Sequence, residues 1–275
     1  MSHLVAVTSV LRLSMDHEVP AQLARELRRA DDFIRLAVVA GFNALATAPL
    51  RELAPEARGV FVGTAFGPLE TNFQSLGSLI NDGEGQISPT LFSHSVYNAA
   101  AGYTARLLDF RGPALTVTDY GYPFLIALAE ARLAVAAGRV ERALVLGVEV
   151  YSELLADAYR RSFAGCEIPW HKGAVAWVLD RAGAVDSCLA RLEAVTVTGA
   201  PCVTGDYLTR AGEICRAAGR EMVPARHALA AVEGLTDLLK TLPVSAAGGL
   251  DWECSASFAN AAVRLAGGPF KSTYG

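Results

Sequence analysis

A nucleophile carried at the tip of a strand, with a helix N-terminus behind it, suits acyl transfer and related covalent chemistry. The stretch Arg111-Gly-Pro-Ala-Leu-Thr-Val-Thr-Asp-Tyr-Gly-Tyr-Pro-Phe124 has the pattern to build that geometry. Gly112-Pro113 signals a turn. Ala114–Thr118 is short, apolar and β-branched, so it reads as a buried strand. Asp119-Tyr-Gly-Tyr122 is a tight corner, and Pro123 suits the first turn of a helix, where no backbone N–H is needed. Ala and Leu recur at helical spacing from Leu125 to Ala137, and Gly138 ends the run. Arg142–Gly147 reads as a second buried strand. The elbow itself holds Asp, Tyr, Gly and Tyr, with no Ser or Cys.

Other candidate groups are scattered. Asp119 could act as a base near the helix N-terminus, but the dipole that favours its charge makes it a capping residue first. Gly121 reads as a turn glycine in a left-handed corner, and Tyr120 and Tyr122 as core aromatics filling the space of a site. His227 stands at a helix start without a nucleophile nearby in sequence. Cys166 and His171 are five residues apart and have no third ligand. The five cysteines, Cys166, Cys188, Cys202, Cys215 and Cys254, are odd in number and form no C-x-x-C pair, so neither a disulfide framework nor a zinc site is expected. Gly63-Thr-Ala-Phe-Gly67 lacks the Lys and the spacing of a phosphate loop.

The elements that position these groups alternate. Strands are predicted near 4–11, 59–64, 114–118, 142–147, 173–179, 194–198 and 260–265. Helices are predicted over 28–45, 69–80, from about 88 through 110 after an opening loop, 123–137, 151–161, 208–219 and 227–241. Asp31 or Asp32 would cap the first of them, with Phe33, Leu36, Ala37, Ala40 and Ala44 on one face. Asn81–Gly85 is a turn. This order predicts an α/β fold with a largely parallel sheet. The chain falls into two parts, 1–165 and a shorter 172–275, with no low-complexity linker, so they should pack as one unit.

Composition narrows the function. The chain has 275 residues, 52% of them hydrophobic and 19% charged, with a mean hydropathy of +0.30. That predicts a large core, and either a mostly buried sheet or a sizeable subunit interface. A net charge of −4 argues against nucleic acid. Arg25–Arg29 and Arg160-Arg161 read as solvated helix faces. No run reaches transmembrane length and no secretory signal is visible, so a reduced, cytoplasmic setting is expected.

Several stretches together resemble the β-ketoacyl synthases, which have the thiolase fold. Arg28-Arg-Ala-Asp-Asp-Phe33 resembles the family's early Arg-x-x-Asp-Arg-Phe helix. Val60-Phe-Val-Gly-Thr-Ala-Phe-Gly-Pro-Leu-Glu70 is similar to its V-V-x-G-T-G-F-G-G-x-E loop. Ser88-Pro-Thr-Leu-Phe-Ser-His-Ser-Val-Tyr-Asn-Ala-Ala-Ala-Gly102 is the most specific piece. Gly112–Thr118 resembles the strand leading to the nucleophile, Leu146-Gly-Val-Glu149 the G-G-x-E after the next strand, and Lys172–Leu179 the opening of the second half.

The resemblance implies an α/β, thiolase-like fold of layers αβαβα with its second half shortened. It also implies a defect. The family's S-T-A-C-A-S places Gly121 where the acyl-accepting Cys would be. H-G-T-x-T is absent, and His227-Ala-Leu-Ala-Ala-Val-Glu-Gly234 is a worn G-H-x-x-G-A-A-G in which Arg226 replaces the glycine. His227 is then a vestigial candidate, and no catalytic residue, cofactor or metal is expected. The closest type is the chain-length factor of two-subunit ketosynthases, in particular the short forms of polyene and aryl-polyene systems. Its implied partners are a catalytic ketosynthase subunit, in a heterodimer, and acyl carrier protein. Phe92, His94, Tyr97, Asn98, Tyr120 and Tyr122 are the expected interface and tunnel residues. Two other readings stand beside it. One is a stand-alone acyltransferase or thioesterase using His227 with Asp119 or a Cys. The other is a homodimeric module that binds acyl carrier protein.

Overall fold

The computed structural model describes residues 3–86, 88–163, 168, 170–199, 210, 212–224, 227–241 and 249–267. Ten strands form one sheet in the order β3-β2-β4-β5-β1-β6-β10-β9-β7-β8. They are β1 (Val5–Ser14), β2 (Arg58–Thr64), β3 (Ala114–Thr118), β4 (Arg142–Glu149), β5 (Gly173–Arg181), β6 (Ala190–Gly199), β7 (Ile214–Ala217), β8 (Arg220–Met222), β9 (Gly249–Ser255) and β10 (Ala259–Ala266). The helices are α1 (Ala21–Ala24), α2 (Asp32–Thr47), α3 (Leu69–Asp82), α4 (Pro89–His94), α5 (Ala99–Leu107), α6 (Pro123–Ala136), α7 (Glu153–Ser162) and α8 (Ala230–Thr241).

The fold is α/β, but the sheet is not largely parallel. Only β2 runs parallel to its neighbours β3 and β4; β4–β5, β5–β1, β1–β6, β6–β10, β10–β9, β9–β7 and β7–β8 are antiparallel. The alternation of elements along the chain was sound. It does not fix strand direction, which depends on whether a connection crosses the sheet or folds straight back.

Strands β4 and β5 are buried almost end to end, as unbroken apolar runs should be when helices cover both faces. On one side lie α2 and α5, whose Phe33, Leu36, Ala37, Ala40, Ala100 and Ala101 form a core with Val60, Val62, Leu144 and Leu146. Asp31 caps α2 by accepting from the Ile34 N–H at 2.9 Å. On the other side lie α6 and α8. Here Leu125, Leu128 and Ala131 pack in one core with Phe61, Val145 and Trp177 of the first strands and Trp252, Val263 and Leu265 of β9 and β10. α6 therefore packs against β2 and β4 and against β6, and its core continues to β9 and β10.

Strands β9 and β10 alternate, one face in and one face out. Leu250, Trp252 and Cys254 point to the core; Asp251, Glu253 and Ser255 are exposed. Among the described residues no helix covers that outer face. It is polar, with Arg264 donating to Asp251 at 2.9 Å and Arg216 to Glu221 at 3.0 Å. The shortened second half thus presents charge where an apolar strand face would need a covering layer.

Two local expectations are corrected. The described part of 208–219 is not helical: β7 and β8 form a hairpin there. Its two central residues, Ala218 (φ 51°) and Gly219 (φ 74°), both take the left-handed conformation that a two-residue turn of matching twist requires. The charged stretch 25–29 is turn rather than helix. Arg25, Arg28 and Arg29 rim, with Arg106, a recess of about 460 Å³.

The seat of α6 gives a test. A Cβ on Gly63 of β2 would collide with the backbone carbonyl of Pro123, whereas one on Gly77 of α3 would meet nothing. Gly63→Ala should destabilise by about 1–3 kcal/mol, and Gly77→Ala should stabilise by about 0.5–1 kcal/mol. Thermal unfolding of the two variants checks this; an unchanged midpoint for Gly63→Ala would show that α6 does not seat against β2.

Candidate functional site

β3 ends at Thr118, and the chain turns through Asp119, Tyr120, Gly121 and Tyr122 into α6. The Asp119 carboxylate holds the turn: its Oδ1 accepts from the N–H of Gly121 at 2.7 Å and of Tyr122 at 2.9 Å. These donors would otherwise be orphaned ahead of the helix. Gly121 is buried but is not in the left-handed region that a turn glycine would use. Space is what limits it: an added Cβ would stand 3.0 Å from Asp119 Oδ1 and 3.5 Å from the Phe258 ring.

The other side of the elbow is held by Arg210. Its Nη1 donates to the carbonyls of Tyr120 at 3.1 Å and Gly121 at 3.0 Å. Nε and Nη2 form a two-pronged pair with Glu213 at 2.7 and 2.8 Å. The guanidinium also lies 4.7 Å from the Phe258 ring centre and 5.3 Å from that of Tyr122. Arg210 is almost fully buried, so both its charge and its donors are satisfied locally. Burial, reinforced by the Glu213 carboxylate, pushes the Tyr122 phenol up and keeps it protonated.

Below the elbow, Glu149 at the end of β4 accepts from the N–H groups of Ala65 and Phe66 and from the Thr64 hydroxyl. It pins the loop from Gly63 to Gly67. Burial dominates its ionisation and pushes the carboxyl up to about 7. His227 lines a recess of about 10 Å³ with Ala65, Phe66, Tyr120, Trp170, Arg210 and Ala228, hardly room for one water. Burial first, then the charges of His171, Arg210 and Arg12, bring its imidazole down to about 3, so it is neutral near pH 7.

The predicted site residues divide into separate places. Tyr97 and Tyr120 come together, lining with Ala65, Thr118 and Asp119 an open recess of about 290 Å³ at the end of β3. Gly67 (φ 55°) makes room for the Tyr97 ring. Phe92, 66% exposed, is on the surface with Val96. Asn98 is exposed at the start of α5. Tyr122 is core, edged against Phe258. His94 is also buried, 2.9 Å from the Tyr103 hydroxyl, and borders the arginine-rimmed recess. Asp119 and His227 line different recesses, and no described cysteine lines either. Cys166 and Cys202 lie outside the described residues.

Sequence reasoning missed three things. Arg210 stands 89 residues from Gly121 and carried no motif. His171 and Glu233 join His227 in a cluster whose donor atoms lie within 4.8 Å of one another. Cys215 and Cys254, expected to be unpaired, face each other across β7 and β9 with their sulfurs bonded. An odd, scattered count gives no sign of such a pairing; the strand register creates it.

Residues 8–160, more than half of the chain, match the family described as "Beta-ketoacyl synthase, N-terminal domain". The chain belongs to the β-ketoacyl synthase family. Solved structures of similar fold include the ishigamide ketosynthase/chain length factor (21% identity, 71% of this chain and 67% of that one, TM-score 0.61). Another is a type II PKS acyl-carrier protein in complex with its ketosynthase bound to the hexaketide, AntDE:AntF (20%, 73% and 70%, 0.58). A third is the ketosynthase ApeO in complex with its chain length factor ApeC from Xenorhabdus doucetiae (16%, 94% and 98%, 0.58). These likenesses establish a thiolase-like, ketosynthase-type architecture. Among the described residues no helix is long and apolar enough to cross a membrane.

Two buried groups of this synthase-family chain make opposite pH contributions. Glu149, raised to about 7, binds a proton on folding between about pH 4.5 and 7, so it stabilises at low pH and its contribution is lost as pH rises through 7. His227, lowered to about 3, sheds one, so its contribution is full above pH 6.5 and is lost as pH falls toward 3. Between pH 4.5 and 6.5 the two slopes cancel. His227→Gln should uncover the Glu149 slope, a stability falling by about 1.4 kcal/mol per pH unit on going up. Denaturant unfolding across that range in chelator-containing buffer checks it; equal slopes for variant and parent would refute the assignment.

Proposed function

We propose that this chain is a non-catalytic, chain-length-factor-like subunit that pairs with a catalytic β-ketoacyl-ACP synthase in type II polyketide or fatty-acid (polyene) biosynthesis. The elbow carries the reading: the resemblance puts Gly121 at the family's nucleophile position, and Arg210 donates to the carbonyls of Tyr120 and Gly121 there. A glycine cannot form a thioester, and a buried guanidinium held by the elbow favours a structural part for this turn. The two halves, 1–165 and 172–275, serve this role as one packed unit.

The surface supports a partner. β3 is an edge strand with Ala114, Leu115 and Thr118 exposed. An unpaired edge with apolar surroundings is a template for joining another chain. Leu115, Phe92, Val96, Tyr97 and Tyr120 are large exposed apolar or aromatic groups on the segments that precede and follow this strand. A catalytic subunit of the same fold would cover this region. Its acyl chain would meet Tyr97 and Tyr120 in the recess at the strand's end. The likeness to ketosynthase/chain length factor structures favours the same arrangement. The arginine-rimmed recess of Arg25, Arg28, Arg29 and Arg106 suits an acidic carrier protein by charge.

Tyr122 and His94 are assigned structural parts in this reading, since neither has surface to offer. The rearranged-enzyme alternative gains nothing from the geometry: Asp119 is committed to the elbow N–H groups, and burial pushes the Cys188 thiol up, away from thiolate.

Co-expression with a ketosynthase that keeps its Cys and both His should give a stable one-to-one complex. Leu115→Lys combined with Phe92→Glu should abolish that complex on size-exclusion chromatography while leaving the melting temperature within a few degrees. A complex that survives the double variant rejects the β3 face. In the reconstituted pair, Tyr97→Ala or Tyr120→Ala should lengthen the product, read by mass spectrometry; unchanged product length in both removes them from the tunnel wall. Acyl transfer to the isolated chain would sink the non-catalytic reading altogether.

A further inference from the structure

We propose that His171, His227 and Glu233 form a binding site for a divalent first-row transition cation, with zinc the best fit. The three side chains come from two parts of the fold. His171 lies just before β5, its ring over Gly173, while His227 stands immediately ahead of α8 and Glu233 is in its first turn. Their donor atoms all fall within 4.8 Å of one another. Two imidazoles and one carboxylate with a fourth position free is a donor set zinc takes readily, and it is harder and less sulfur-rich than a copper(I) or iron–sulfur site requires.

The spacing is what distinguishes this cluster from an ordinary ion pair. His227 Nε2 stands 3.8 Å from Glu233 Oε2, too far for a hydrogen bond. Two metal–ligand bonds of about 2.0–2.1 Å at a tetrahedral angle span about 3.3 Å, so this pair closes on a cation with a shift of a few tenths of an ångström, while the His171 ring, its centre 3.7 Å from the His227 ring centre, swings outward to join it. A second observation agrees with it. His227 is 5% exposed, and its Nδ1 is buried without a hydrogen-bond partner. With Nδ1 unpaired among the described residues, the buried imidazole is an incomplete arrangement, and Nε2, the nitrogen that faces Glu233, is the one a cation would take. His171 Nε2 already lies 2.8 Å from Glu233 Oε1. Its side chain is 36% exposed, which gives a cation and a water ligand a way in from solvent.

Two cations of the protein bear on the site: Arg210 shares the small recess with His227, and Arg12 competes for Glu233 directly. Arg12 Nη2 lies 3.1 Å from Glu233 Oε2. Arg12 also contacts Asp237, at 3.3 Å through Nη1, so it keeps a carboxylate partner when Glu233 turns to a metal. This makes the affinity adjustable by a residue that is not itself a ligand. Bound there, the cation would tie α8 to the start of β5. Its readouts do not depend on any partner subunit.

The test uses the full chain, stripped with a chelator and titrated with Zn²⁺ by calorimetry and with Co²⁺ by visible absorption. One saturable equivalent is expected, with the absorption of four-coordinate cobalt. His171→Ala and Glu233→Gln should each weaken binding at least about tenfold, and Arg12→Gln should tighten it a few-fold by freeing Glu233. Circular dichroism melts confirm that each variant is folded, and His171→Ala, at a half-exposed position, keeps the test open if a buried variant does not fold. Absence of saturable binding overturns the proposal. So does binding whose affinity is untouched by both ligand variants, or binding that disappears only when Cys188, Cys215 and Cys254 are changed to Ser.

Discussion

The rest of this structure depends on how one helix, α6, is seated against the sheet. α6 carries Phe124, Leu125, Leu128 and Val135 at full burial, with Ala127, Ala131, Ala134 and Ala136 between them. It packs against β2 and β4 and also against β6, and it shares one core with Trp252, Val263 and Leu265 of β9 and β10. Its open face carries Glu130 and Leu133, and its small residues let the sheet approach closely on the rest. Because α6 begins at the elbow, the position of the elbow is set by packing on two sides before any chemistry is considered.

That packing fixes the geometry of the elbow. In a covalent acyl site the turn must leave a nucleophile accessible and its backbone donors aimed at a developing charge. Here the donors of Gly121 and Tyr122 are consumed by Asp119, and the carbonyls of Tyr120 and Gly121 by Arg210. The backbone donors and acceptors of the elbow thus have partners inside the fold. Burial of the Arg210–Glu213 pair costs solvation, and removing either member alone would leave a buried charge unpaired.

Away from the elbow, the molecule separates a sticky side from a solvated one. The β3 edge and the segment bearing Phe92, Val96 and Tyr97 expose large apolar groups, while the outer face of β9 and β10 carries acids, an arginine and a serine in alternation. The uncovered face of β9 and β10 carries charge, and the exposed apolar groups of β3 lie at the opposite end of the strand order. A partner is expected at one end of the sheet and water at the other.

The sequence alone determined most of the elements and the composition of the elbow. Pro123 and the Ala/Leu spacing after it marked α6, Asp31 marked the cap of α2, and the absence of Ser or Cys between Asp119 and Tyr122 was plain before any coordinates. These are local facts, encoded within a few residues. Only the tertiary structure decided the strand directions, the hairpin at Ala218-Gly219, the pairing of Cys215 with Cys254 and the meeting of Tyr97 with Tyr120. It alone placed Arg210 against the elbow and gathered His171, His227 and Glu233. Each of these joins residues that are tens of positions apart or turns on a backbone conformation that Ala does not advertise. Side chains so separated meet through sheet register and helix packing, and neither can be read from the spacing of residues along one chain.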